Sequence, residues 1–126
     1  MQEPASEPLE CPLMARAVVD YSAAFQRGME LVGKRWTGAV VRGLMPGPAR
    51  FNHLLAGIPG ISDRVLTERL RELESEGVVE RLVDAGPPVR VSYRLTARGR
   101  ALEPVVSAVT TWAENWLSPA VSAEAV

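Results

Sequence analysis

Few side chains in this sequence could do covalent or metal chemistry. It has one histidine, His53, and one cysteine, Cys11. His53 has no Cys, His or acidic partner at ligand spacing, so the residues indicate neither a metal site nor a catalytic base. Ser62-Asp63 beside a lone histidine is no triad. A single cysteine excludes an internal disulfide framework and a multi-Cys zinc site within one chain. Cys11, followed by Pro12, is the only chemical handle for a thiol sensor, and it is a slight one. The residues therefore argue against an enzyme and call for no metal and no cofactor. What is left is a set of charged side chains that could bind.

Those side chains are organised around Ile61 to Gly77, ISDRVLTERLRELESEG. Ser62 is a good N-cap, because its hydroxyl can accept a bond from an otherwise unpaired first-turn amide. Asp63 suits the positive end of the helix dipole, and Gly77 can take the left-handed conformation that ends a helix. Leu66, Leu70 and Leu73 recur at spacings of four and three and form one apolar stripe. Arg64, Thr67, Glu68, Arg71 and Glu72 fall on the other faces. Arg69, beside Leu66 and Leu70, reads as a flanking salt-bridge residue. Taken alone, the stretch favours an ordinary amphipathic surface helix with solvated charges. Its surroundings alter that balance.

The 126 residues suit one domain with a modest core. Apolar residues make up 47%, and no run approaches the ~20 that a membrane span needs. The opening MQEPASEPLE carries glutamates where a signal peptide would carry positive charge, so a cytoplasmic protein is expected. The net charge of -1 conceals a strong division. Residues 1–33 hold two arginines against five acids, net -3. Residues 34–100 hold twelve basic groups against seven acids, net +5, and residues 101–126 hold three acids and no base. A basic middle is the footprint of contact with nucleic acid phosphates.

From the N-terminus, residues 1–11 read as a mobile tail. Leu13, Ala17, Val18, Tyr21 and Phe25 follow helical spacing and predict a helix from Pro12 to about Arg27. Gly28 and Gly33 bracket a short apolar segment, and a second helix is expected from Lys34 with Trp36, Val40, Val41 and Leu44 inward. MPGP at Met45–Pro48 must stop it. Ala49 to Phe51 is extended, Asn52 can cap a short helix through Ala56, and Gly57, Pro59 and Gly60 turn the chain into Ser62. Three short helices of this kind are the pattern of a helix-turn-helix. After Gly77 the residues alternate through Val83, turn at Asp84–Pro88 and alternate again from Val89 to Leu95, a hairpin. One face of its second strand carries Arg90, Ser92 and Arg94. Helix-turn-helix followed by hairpin is the order of a winged helix.

Thr96 caps a last helix, which Pro104 should start or kink. Its Leu102, Val105, Val109, Trp112 and Trp116 recur at three, four, three and four, a heptad-like seam. A seam with two tryptophans exceeds what so small a domain covers by itself, which favours a dimer interface over an internal packing face. The expected architecture is mainly α with a small β-hairpin (α+β): a winged helix-turn-helix over residues 12–117 with terminal dimerisation helices, and tails at 1–11 and 118–126.

These residues resemble the HxlR-type winged-helix transcription regulators, relatives of the MarR group. The matching pieces are Gly33-Lys34-Arg35-Trp36, Arg50-Phe51-Asn52-His53-Leu54, Pro59-Gly60-Ile61-Ser62 and Leu66 through Glu74. Pro87-Pro88-Val89-Arg90-Val91-Ser92-Tyr93-Arg94-Leu95-Thr96 and Gly99-Arg100 complete the match in the right order. The resemblance implies a homodimer, built from terminal helices that include Val18, Tyr21 and Phe25, binding double-stranded operator DNA and usually repressing transcription. It implies that the helix from Ser62 enters the major groove. There Arg64, Thr67, Glu68 and Arg71 could reach base edges, arginine pairing with guanine and glutamate accepting from cytosine. Arg90 and Arg94 would touch phosphate or a minor groove. Lys34, Asn52 and His53, at helix beginnings, would favour phosphates, and Arg50, Ser62 and Asp63 complete the expected DNA-facing set.

Two positions depart from the family. Ala23 stands where members often carry a sensing cysteine, so redox sensing by Cys11 does not carry over. Ser92 replaces the usual glutamate before the wing tyrosine. The competing function is a winged-helix module that binds another protein and has lost DNA affinity. The operator, the regulated genes and any small-molecule effector are not legible.

Overall fold

The computed structural model describes residues 19–117. Cys11, Val18 and both expected tails lie outside the described residues. The chain divides into two units, residues 1–32 and residues 33–126.

In the first unit, helix α1 spans Ala23–Val32. Ser22 starts it, its hydroxyl accepting a bond from the Phe25 amide at 3.1 Å. The residue pattern placed a helix from Pro12 to about Arg27 and a break at Gly28. Instead Val19–Ser22 is not helical, and α1 runs through Gly28 to Val32. One helical glycine costs only about 1 kcal/mol against alanine, and the apolar spacing Phe25, Met29, Val32 continues across it. Tyr21, Phe25 and Met29 are exposed.

The second unit opens with the turn Gly33–Trp36. Trp36 has φ 77°, a left-handed conformation that bulky side chains rarely adopt. A residue so placed cannot belong to a helix, which is why α2 spans Thr37–Leu44 and does not begin at Lys34. Trp36 is half-buried, not fully inside as the pattern implied. Its ring stacks with the Arg35 guanidinium, 5.0 Å from the centroid. Helix α2 buries Thr37, Val40, Val41 and Leu44 and stops at Met45–Pro48, where proline has no amide to continue it.

Strand β1 is only Ala49–Arg50, and helix α3, Phe51–Gly57, follows it directly. Arg50 occupies the N-cap without a side-chain bond, so Asn52 lies inside the helix and does not cap it. The turn through Gly60 leads to Ser62, whose hydroxyl accepts from the Val65 amide at 3.1 Å and starts helix α4, Asp63–Ser75. At its far end Gly77 takes φ 76°, and the Val78 amide reaches back to the Leu73 carbonyl at 2.8 Å. Leu66, Leu70 and Leu73 are fully enclosed, each contributing about 1.5–3 kcal/mol of apolar burial.

Strands β2, Val79–Asp84, and β3, Arg90–Leu95, form the hairpin, with Val79 opposite Leu95 and Asp84 opposite Arg90. Strand β1 pairs with the other edge of β3, Ala49 opposite Tyr93 and Arg50 opposite Ser92, giving a sheet in the order β1-β3-β2. The core gathers Val40, Val41 and Leu44 of α2, Leu54 of α3, the α4 leucines, Val78, Val79 and Leu95.

The expected last helix is two. Helix α5, Ala97–Arg100, is capped by Thr96, whose hydroxyl accepts from the Gly99 amide at 3.1 Å. Helix α6 spans Glu103–Trp116 with Pro104 in its first turn, where the missing amide costs nothing. Gly99 is where α5 meets the residue just before β2: a Cβ there would lie 2.2 Å from the Val78 carbonyl oxygen. Val106 is the buried residue of α6, while Val105, Val109, Trp112 and Trp116 are exposed. Leu102, expected in the seam, precedes α6 and is half-buried.

Candidate nucleic-acid interface

With the leucine stripe of α4 turned inward, its opposite face must look outward. Arg64 projects from the first turn with its side chain 85% exposed. Glu68 and Arg71 are exposed, Thr67 is half-buried, and Asp63 is exposed beside the capping Ser62. Four of the residues expected at base edges thus share one helix and one exposed side.

The other flank of α4 is anchored. Arg69, with its side chain only 13% exposed, donates from Nε to the Arg35 carbonyl at 2.8 Å and from Nη1 to Glu72 at 3.3 Å. Glu72 also accepts from Lys34 Nζ at 2.8 Å. That Lys34 hydrogen bond chiefly holds the Glu72 carboxyl below the ordinary carboxylate range. Desolvation opposes it, and the charges of Lys34 and Arg69 add to the lowering. Lys34 therefore ties the Gly33–Trp36 turn to α4 in addition to any contact with phosphate. The sequence identified Arg69 as a salt-bridge residue but not its bond to a backbone carbonyl 34 positions away.

A second outward surface forms where β1, α3 and β3 meet. An open groove of about 650 Å³ is lined by Arg50, Asn52, His53 and Ser92, with Val91 and Phe51 among its apolar walls. Pairing of β1 with β3 brings these residues together, because it sets Arg50 opposite Ser92. On the hairpin, Arg90 is exposed, but Arg94 donates from Nε to Glu80 at 3.0 Å across the strands. The outer face of the wing is therefore less cationic than its arginines alone suggest. Arg81, exposed on β2, is a cation that the sequence reading left out. It stands opposite Tyr93, on the face that the alternation gives to Val79 and Val83, so periodicity alone conceals it. Among the described residues no group of three His, Cys, Asp or Glu side chains could hold a metal ion.

Comparison with known proteins decides what this surface belongs to. The family model described as HxlR-like helix-turn-helix matches residues 31–121. The chain belongs to the HxlR-like family. It is similar to YvaP of Bacillus subtilis, named as an uncharacterised helix-turn-helix transcriptional regulator, with 43% identity over 95 residues covering 75% of this chain and 88% of that protein. Among solved structures, the reduced form of the transcriptional regulator YodB from B. subtilis is 40% identical at a TM-score of 0.70, covering 79% of this chain and 97% of that one. YodB has also been solved in a quinone-bound form. The redox regulator HypR in its oxidised form is 35% identical at a TM-score of 0.72, covering 76% and 99%.

An HxlR-like protein with this fold is a DNA-binding transcriptional regulator, not an enzyme. These relatives are named as transcriptional regulators, which favours DNA binding over a protein-binding module without it. No helix among the described residues is long and apolar enough to cross a membrane.

Proposed function

We propose that the protein is a cytoplasmic homodimer that represses transcription. Helix α4 sits in the major groove of an inverted-repeat operator, and the β2–β3 hairpin lies as a wing on the neighbouring DNA. The observation that carries this is the division of α4. Its leucines are enclosed, and Arg64, Thr67, Glu68 and Arg71 are presented from one side of a helix capped at both ends. Arginine can pair with guanine by two parallel bonds, whereas phosphate contacts position the protein without reading sequence. Arg50, Asn52 and His53 at the groove, with Arg90 on the hairpin, suit that positioning role. The exposed tryptophans of α6 and the exposed Tyr21 and Phe25 of α1 support a second copy as partner.

Two-fold symmetry sets the half-site centres about 10 base pairs apart, or a multiple of that. Fluorescence anisotropy with the DNA upstream of the protein's own gene, against a scrambled duplex, tests the reading. Selective binding is expected, together with a fall in reporter expression when the protein is supplied. Equal affinity for both duplexes at several salt concentrations rejects sequence recognition. Thiol sensing as in redox-responsive relatives is not part of this proposal, since Ala23 opens α1 where the family resemblance places a cysteine. Cys11→Ser is expected to leave DNA affinity unchanged in reducing buffer and under mild peroxide. A peroxide-induced loss of binding that the variant abolishes would overturn that.

A further inference from the structure

We infer that Glu68 is a specificity-determining positioning residue: it holds Arg64 in the orientation in which that arginine reads a base, and does not itself contact cytosine. The inference rests on the proposal that α4 enters the major groove. Each Glu68 carboxylate oxygen faces an arginine. Oε2 lies 3.6 Å from Arg64 Nε, and Oε1 lies 4.0 Å from Arg69 Nη1. Arg69 is in turn fixed by its bond to the Arg35 carbonyl. A line of charge therefore runs from a backbone carbonyl of the scaffold, through Arg69 and Glu68, to Arg64, whose side chain is 85% exposed.

Three physical points favour this role. The pair is ordered with its base in the first helical turn and its acid one turn later. The helix dipole and the preference for acid-before-base pairs make that order the less stabilising one, so helix stability gives only a weak reason for it. An arginine so exposed loses rotamer freedom when it binds. A carboxylate at Nε restrains it beforehand, while the terminal amino groups remain to match guanine O6 and N7. Finally, a bare carboxylate turned towards DNA would be repelled by phosphates. One held between two guanidinium groups has its charge offset.

The test uses the full chain and a duplex selected from a library randomised over about 30 base pairs, enough for two half-sites a helical turn apart. Anisotropy then gives the affinity for that duplex, for each single-base-pair change in it and for a scrambled duplex. The proteins are wild type, Arg64→Ala, Glu68→Gln, Glu68→Ala and the double variant Arg64→Ala/Glu68→Gln, with circular dichroism verifying the fold of each. Arg64→Ala is expected to lose about 5- to 100-fold of discrimination at one base pair. Both Glu68 variants should lose at least about threefold at that same base pair, and the double variant no more than Arg64→Ala alone.

Relaxation by Glu68→Gln at a different base pair, with losses that multiply in the double variant, would show that Glu68 reads a base directly. Relaxation by Arg64→Ala but not by either Glu68 variant would show that Arg64 needs no positioning. Either result overturns the inference and leaves groove reading intact. If Arg64→Ala relaxes no base pair, base reading by Arg64 itself has failed, and the inference falls with it.

Discussion

Trp112→Asp separates the proposed dimer from its protomer. Trp112 lies on α6 with 56% of its surface exposed. A tryptophan carries about 150–250 Å² that can be buried, so roughly 110 Å² is left for a partner to cover. At about 25 cal/mol per Å² this is near 3 kcal/mol per protomer, and about 6 kcal/mol for the two copies in a symmetric contact. Association also costs rigid-body freedom, so the figure measures a loss on substitution and not an affinity. An aspartate in the seam removes that area and adds a buried charge without a partner. A loss of about 6 kcal/mol weakens dimerisation by roughly four orders of magnitude. Because Trp112 is half-exposed within its own protomer, the variant should stay folded. Light scattering after size exclusion is expected to give a dimer for wild type and a monomer for the variant at micromolar concentration, with equal helicity by circular dichroism. A well-folded wild-type monomer at that concentration, or a dimeric Trp112→Asp, would refute the reasoning.

Three further outcomes follow from other parts of the molecule. Gly99→Ala brings a Cβ to 2.2 Å from the Val78 carbonyl, so urea unfolding should show a loss of about 1–3 kcal/mol or more from overpacking. Glu72 has its carboxyl lowered chiefly by Lys34. The stability from this pairing is present above the ordinary carboxylate range and lost as pH falls through the lowered folded-state value. Lys34→Met should therefore reduce stability at neutral pH and leave it nearly unchanged once Glu72 is protonated. The difference should stay within about 1 kcal/mol because both partners are well exposed, and urea midpoints at a series of pH values would detect it. Arg90→Ala should weaken binding to all duplexes alike and flatten the dependence of log affinity on log salt by about one unit if one phosphate contact is lost.

The parts that could be read from the sequence are those whose determinants are local. Ser62 and Gly77 mark the ends of α4 because capping depends on the residue at one position and its immediate neighbours. The leucine stripe is a periodicity that burial enforces, whereas in the hairpin only Val79 and Leu95, at its root, are buried. Other features depend on partners far along the chain. Two residues cannot show a period, so Ala49-Arg50 read as extended, and its pairing with β3 was not legible. That pairing assembles the groove of Arg50, Asn52, His53 and Ser92. The left-handed Trp36 breaks the rule that bulky residues avoid positive φ, so the start of α2 was placed three residues early. The Glu80–Arg94 pair depends on hairpin register. Arg69 was recognisable as an ion-pair residue, but its carbonyl partner belongs to a turn 34 positions earlier.

The junction at Gly77 and Val78 bears on how the protein can adapt to DNA. The Thr96 amide donates to the Val78 carbonyl at 3.0 Å, and the Thr96 hydroxyl bonds the carbonyls of Gly77 and Val78. Arg98 donates to the Glu76 carbonyl at 2.8 Å, and Gly99 leaves no room between α5 and the residue just before β2. The end of α4, the root of both hairpin strands and the start of α5 are thus pinned within a few residues. A loose joint there would let helix and wing settle on DNA one after the other. On the proposed docking this one makes them a fixed gauge, and a duplex whose groove width does not suit the set angle must deform or be rejected.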